Sequence, residues 1–124
     1  MQSREIGRKS KINPRWASGS RKKYQARFRA MDAPCGICKG RLGPIHYDEP
    51  SDHLHPLSFV IDEINPISKY KQFGYSSKKE AANDWNNLQA AHRICNARKS
   101  DKTMQELERI QFRRDVPNSL DGNW

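Results

Sequence analysis

Three cysteines and one histidine fall into two pairs, Cys35-Gly36-Ile37-Cys38 and His92-Arg93-Ile94-Cys95, with 53 residues between them. Two thiolates two residues apart, on a turn of small residues, can face one ion, and a His-x-x-Cys supplies the other half of a tetrahedral shell. Cys35, Cys38, His92 and Cys95 thus form a closed structural zinc site with no open position. The alternatives are a redox Cys-x-x-Cys, which lacks the strand and long helix a thioredoxin-type site needs, and unligated buried cysteines. An odd cysteine count without a secretory signal argues against a disulfide framework.

A second constellation holds oxygen donors. Asp62 and Glu63 end the apolar run from Leu57, Asn87 precedes a short apolar stretch, and Asn96 follows Cys95 on a basic helix. At about 100° per residue, Asn96 points away from Cys95, so an ion on one side leaves Asn96 to face the strand end. A carboxylate and an amide oxygen, with waters and phosphate completing the sphere, suit Mg²⁺ or Mn²⁺. The same residues are also ordinary turn and cap formers.

The elements that must position these groups are short. Tyr24, Phe28 and Met31 recur at steps of four and three and predict a helix from about Ser18 to Met31, ended by Pro34. Residues 41–56 contain Gly43, Pro44, Pro50 and Pro56 and read as loop carrying His46, His53 and His55. Leu57 to Asp62 reads as a strand, Ser77 to Trp85 as a helix opened by a capping box, Leu88 to Ala91 as a second strand, and His92 to Lys102 as a helix. A further helix is expected over Thr103 to Arg114. The fold class is α+β.

The chain has 124 residues and 35% apolar content, with a mean hydropathy of −1.02. Such a core is thin and calls for a staple. Residues 18–115 make one domain, preceded by a basic, flexible arm over 1–17 and followed by a loose tail over 116–124. The formal net charge is +9, which points to a polyanionic partner such as DNA. Ten of the 23 Lys and Arg lie in residues 1–30 against Glu5 alone. Arg21, Lys22, Lys23, Lys69, Lys71, Arg98, Lys99 and Lys102 are the candidate phosphate contacts; singly, each reads equally as a solvated side chain. With no apolar run near the roughly 18 residues a bilayer span needs, no membrane partner is expected and the expected location is cytoplasmic, inside a host cell. The aromatics Trp16, Tyr70, Phe73 and Tyr75 offer a weaker reading as a protein-interaction adaptor.

Taken together, Cys35-Gly36-Ile37-Cys38, Ile61-Asp62-Glu63-Ile64-Asn65-Pro66, Asn87-Leu88-Gln89 and His92-Arg93-Ile94-Cys95-Asn96-Ala97-Arg98-Lys99 resemble, in order, the motif blocks of the HNH endonuclease family, in particular its zinc-bound, phage-type members. The resemblance covers residues 35–102. It implies a ββα-metal (His-Me finger) core stapled by zinc and flanked by N- and C-terminal helices. It also implies a one-metal DNA endonuclease, phage or prophage encoded, acting near packaging components such as terminase or portal proteins. By carry-over, Asp62 and Asn96 are the catalytic-ion ligands and Asn87 tethers the loop and orients the base. The base position falls on Glu63, where the family pattern has His, and His92 stands where it has Cys. Three outcomes stay open: Glu63 is the base; Glu63 is an extra metal ligand with His53 or His55 as base; or the site is inactive and the chain is a zinc-stapled nucleic-acid-binding module.

Overall fold

The computed structural model describes residues 13–16, 19–47 and 55–110. Most of the arm, the tail over 116–124, His53 and the end of the helix expected to reach Arg114 lie outside these residues.

Helix α1 (Ser20–Met31) starts after Gly19, in the left-handed region at φ 78°, and stops at Asp32, also left-handed at φ 49°. Tyr24 and Phe28 make its inner stripe as expected, but Met31 is 57% exposed. The stripe continues towards the N-terminus through Arg21, three residues before Tyr24, and Arg21 is buried. Strand β1 (Phe59–Glu63) pairs antiparallel with β2 (Leu88–His92), placing Asp62 opposite Gln89 and Phe59 opposite His92. This pair forms a two-stranded sheet.

Between the strands lies helix α2 (Lys78–Asn83), where the Ser77 hydroxyl accepts from the Glu80 N–H at 3.1 Å. Asp84 caps the next short turn through Asn86 N at 3.0 Å. Helix α3 (Arg93–Lys99) follows β2 without a linker. Its first N–H groups are not capped by a side chain; Arg93 N donates to Ser58 O and Ile94 N to Pro56 O, at 2.8 and 2.9 Å. The carbonyls entering β1 therefore satisfy the orphan donors of α3 and fix the helix against the strand. A fourth helical segment, residues 104–110, opens with reciprocal bonds between Thr103 and Glu106 at 2.8 and 3.0 Å.

The core is small: Phe28, Cys35, Ile45, Leu88, Ala90, Ala91 and Cys95 form its buried cluster. Phe28 stacks on Trp85 at 4.6 Å between centroids, and the Arg27 guanidinium covers that indole at 3.9 Å. Two cysteines of the candidate metal cluster thus belong to the core. In an α+β protein this thin, holding them together is part of folding.

Candidate functional site

The turn after α1 carries Cys35 and Cys38, while the end of β2 and the start of α3 carry His92 and Cys95. Gly36 N donates to Ala90 O at 2.9 Å, docking the turn on β2. A Cβ at Gly36 would collide with the Gln89 amide, so a side chain there would force that flexible amide to shift. Ligand atoms of all four residues lie within 4.8 Å of one another. His92 Nδ1 is 3.5 Å from Cys38 Sγ and 3.7 Å from Cys95 Sγ. Zinc–sulfur and zinc–nitrogen bonds at a tetrahedral angle require edges of about 3.6 Å, which these match.

The other ring nitrogen, Nε2, is 3.3 Å from the Pro44 carbonyl. An Nε2–H donor there leaves Nδ1 as the ligand and fixes the ring's orientation. Cys35 Sγ accepts from His92 N at 3.4 Å and from Cys38 N at 3.5 Å. Burial, together with the neighbouring Cys35 and Cys38 sulfurs, pushes the Cys95 thiol up to about 12. Burial is the larger cause; the like charge of the neighbouring sulfurs adds to it, and a bound cation would relieve both. These four residues could hold one metal ion, and the donor set is consistent with structural zinc.

Of the second constellation, Asp62, Glu63 and Asn96 line a cleft of about 580 Å³ whose walls also include Arg15 and Arg21, whereas Asn87 does not line it. Asp62 and Asn96 therefore share a cavity. The neighbours Asp62 and Glu63 alternate across the strand, and their side chains have separate partners. Asp62, 3% exposed, accepts from Gln89 Nε2 at 2.9 Å and from Lys99 Nζ at 3.2 Å. Burial raises its pKa, against the lowering effects of Gln89 and Lys99. Glu63, 7% exposed, is gripped by Arg15 on both oxygens, at 2.6 and 2.9 Å, and by Arg21 Nη2 at 2.6 Å. Burial pushes the Glu63 pKa up, but the two guanidiniums prevail and its net shift is downward. Two adjacent carboxylates are thereby driven in opposite directions.

Asn87 is 1% exposed and ties the segment after β1. Its Oδ1 accepts from Asn65 N at 2.8 Å, and its Nδ2 donates to Asn65 O and Ala81 O, each at 3.0 Å. It makes no bond to the Glu63 side chain; its backbone carbonyl accepts from Ile64 N at 2.7 Å.

Two of the expected phosphate contacts are buried and already paired within the protein. Lys99 is fully buried, with Nζ on Asp62 and on Glu63 O at 2.8 Å; an ammonium inside the protein is retained because a carboxylate neutralises it. Arg21, 3% exposed, is likewise an interior residue held by Glu63 and by the Ala82 carbonyl at 2.8 Å. Lys22, Lys23, Lys71 and Arg98 are exposed, and Lys102 is half-buried. Lys69 pairs with Glu106 at 3.0 Å. Of the adaptor aromatics, Trp16 is 50% exposed, whereas Tyr70, Phe73 and Tyr75 are half-buried and the Tyr75 hydroxyl donates to Asp84 at 2.7 Å. His55 Nδ1 accepts from Leu57 N at 3.0 Å, a local turn bond.

Arg15 and Gln89 are the participants that the sequence reading missed. Arg15 sits in a short turn, Pro14–Trp16, within the stretch read as a mobile arm; Asn83 Nδ2 anchors that turn through Pro14 O at 3.0 Å. No local pattern marks Arg15. Gln89 could have been found, since any register pairing the two strands near Asp62 brings it close. Comparison with protein-family models, curated proteins and solved structures returns no match. Among the described residues, no helix is long and apolar enough to cross a membrane.

Proposed function

We propose that this protein is a metal-dependent endonuclease of HNH type that hydrolyses DNA phosphodiester bonds by a one-metal mechanism, with Cys35, Cys38, His92 and Cys95 as its structural zinc site and a ββα-metal core around it. The observation that supports this reading is that Asp62, at the end of β1, and Asn96, one residue after the ligand Cys95, line one cleft with Glu63. The four-residue cluster joins the turn, β2 and α3, so one zinc ion would hold the frame in which strand end and helix face each other.

Asp62 and Asn96 would hold Mg²⁺ or Mn²⁺. Each Asp62 oxygen accepts one hydrogen bond here and keeps a lone pair for a hard cation. When bound, the ion supplies neutralisation of the charge that develops on the phosphate oxygens. Gln89 and Lys99 keep the Asp62 carboxylate in place. Glu63 is the acceptor for the proton of an attacking water; its guanidinium partners keep it ionised but make it a weak base while both are attached. The net charge of +9 suits a DNA substrate. The phage context and a place beside terminase or portal proteins rest on the motif resemblance alone.

A second reading, a non-catalytic zinc-stapled nucleic-acid-binding module, is favoured by one observation. Arg15, Arg21 and Lys99 already neutralise the two carboxylates, so no added cation is needed to hold them. Incubation of supercoiled plasmid with the purified protein in Mg²⁺ or Mn²⁺, with and without EDTA, decides between the two. Metal-dependent nicking that disappears in Asp62→Ala supports the enzyme; tight binding without nicking in either metal supports the module. Nicking enhanced by Glu63→His places the base at this position, and full activity in Glu63→Ala removes Glu63 from that role.

A further inference from the structure

The side of the cleft facing α1 holds chemistry that metal ligation does not use. Arg15 and Arg21 converge on Glu63, and Arg15 does so as a fork, Nε and Nη2 on separate carboxylate oxygens. The same planar fork takes two oxygens of a phosphate equally well. Arg21, whose side chain is 4% exposed, carries the one buried side-chain polar atom among the described residues that has no partner, its Nε. A buried donor left unsatisfied is costly, and among the described residues the other buried side-chain polar atoms have partners. Arg15 is the accessible half of the pair: its side chain is 41% exposed, against 4% for Arg21. Three cationic side chains meet two buried carboxylates around the cleft, with the exposed Asp101 also on its wall. A volume of about 580 Å³ lies in the range of small-ligand pockets.

We propose that Arg15 and Arg21 form a phosphate receptor for which Glu63 is the resident stand-in: a phosphodiester entering the cleft takes the Arg15 fork and leaves Glu63 attached to Arg21 alone. The inference rests on reading the cleft as the DNA site. Its consequence is that substrate binding unloads one guanidinium from Glu63, so the contacts of that carboxylate change only when a phosphate is present. Arg15 is then a phosphate-contacting residue, and its pairing with Glu63 closes the site in the resting state.

The experiment is a titration without added Mg²⁺ or Mn²⁺, which prevents hydrolysis and leaves the sulfur cluster untouched, followed through the arginine Nε–H signals in ¹⁵N–¹H NMR. The probes are a thymidine tetranucleotide and, separately, inorganic phosphate. Saturable shifts of the Arg15 and Arg21 signals with the tetranucleotide are expected. Arg15→Lys keeps the charge but loses the fork, and weakens binding about tenfold; Glu63→Gln removes the competing charge and tightens it about tenfold. These opposite signs distinguish a receptor from a structural ion pair, whose loss lowers thermal stability in both variants without opposite effects on binding. Unchanged or same-sign affinities overturn the proposal, as does a response to inorganic phosphate alone. If wild type nicks plasmid while the Arg15 signal stays fixed, the receptor fails and the nuclease stands; if the binding pattern holds without nicking in any metal, the nuclease fails and the receptor stands.

Discussion

The sulfur cluster and the carboxylate cleft both gather acidic ligands, and they deal with the resulting charge in opposite ways. Around Cys35, Cys38, His92 and Cys95 the hydrogen-bond partners are backbone amides, one carbonyl and one another; among the described residues no side-chain cation bonds to them, and burial, with the neighbouring sulfurs, pushes the Cys95 thiol up. In the cleft, each carboxylate has its own cation: Lys99 for Asp62, and Arg15 with Arg21 for Glu63. The first arrangement could hold a metal ion that balances its charge. The second is balanced as it stands by its own side-chain cations, and under the receptor proposal a ligand would enter by exchanging partners. Donor softness follows the same division, with thiolates and imidazole for zinc and oxygens for a hard, loosely held cation.

The largest effect should come from depriving the cluster of its ion. Cys38→Ser, or chelation strong enough to strip zinc, should abolish the cooperative thermal transition, because such sites contribute apparent energies on the order of 10 kcal/mol to folding. Metal analysis of the wild type should give about one zinc per chain; a folded, zinc-free wild type would break the comparison at its first term.

Next in size is the cleft's internal cation. Lys99→Met leaves Asp62 buried without its ammonium and should cost about 3–5 kcal/mol in urea unfolding. Adding Asp62→Asn should recover a good part of that loss, since the uncompensated charge is then gone. If the two substitutions are additive, Lys99 is not the counter-ion of Asp62.

The Glu63 pair should show itself in acid. Its folded pKa lies below the ordinary 4.5, so the stabilisation it brings is present above that value and is lost as pH falls through the folded one. The stability difference between wild type and Glu63→Gln should therefore shrink below about pH 4.5, measured by denaturant unfolding across pH. A difference that grows in acid contradicts the guanidinium clamp.

The smallest effect links the two regions. Gly36→Ala in the cysteine turn pushes against the Gln89 amide that holds Asp62. Because that amide is the end of a flexible side chain, the cost should be about 1 kcal/mol or less. A change in the Asp62 carboxylate NMR signal should accompany it, whereas an unmoved signal would show that the turn and the cleft are independent.

The cysteine and histidine spacing alone was enough to specify the four-residue cluster, and turn residues, short apolar runs and aromatic steps located the two strands and most helices to within a few positions. That legibility has a physical basis: a Cys-x-x-Cys turn and a strand ending before Pro66 are local, and local geometry is written in adjacent residues. Tertiary structure alone decided what the charged residues do. Arg21 and Lys99 read as surface cations because no neighbour in sequence neutralises them; their carboxylates lie 42 and 37 residues away. Arg15 read as part of an arm because its partner lies 48 residues on. Charge is neutralised in space and not along the chain, so the positions of the donors could be read in sequence while the counter-ions that set their chemistry could not.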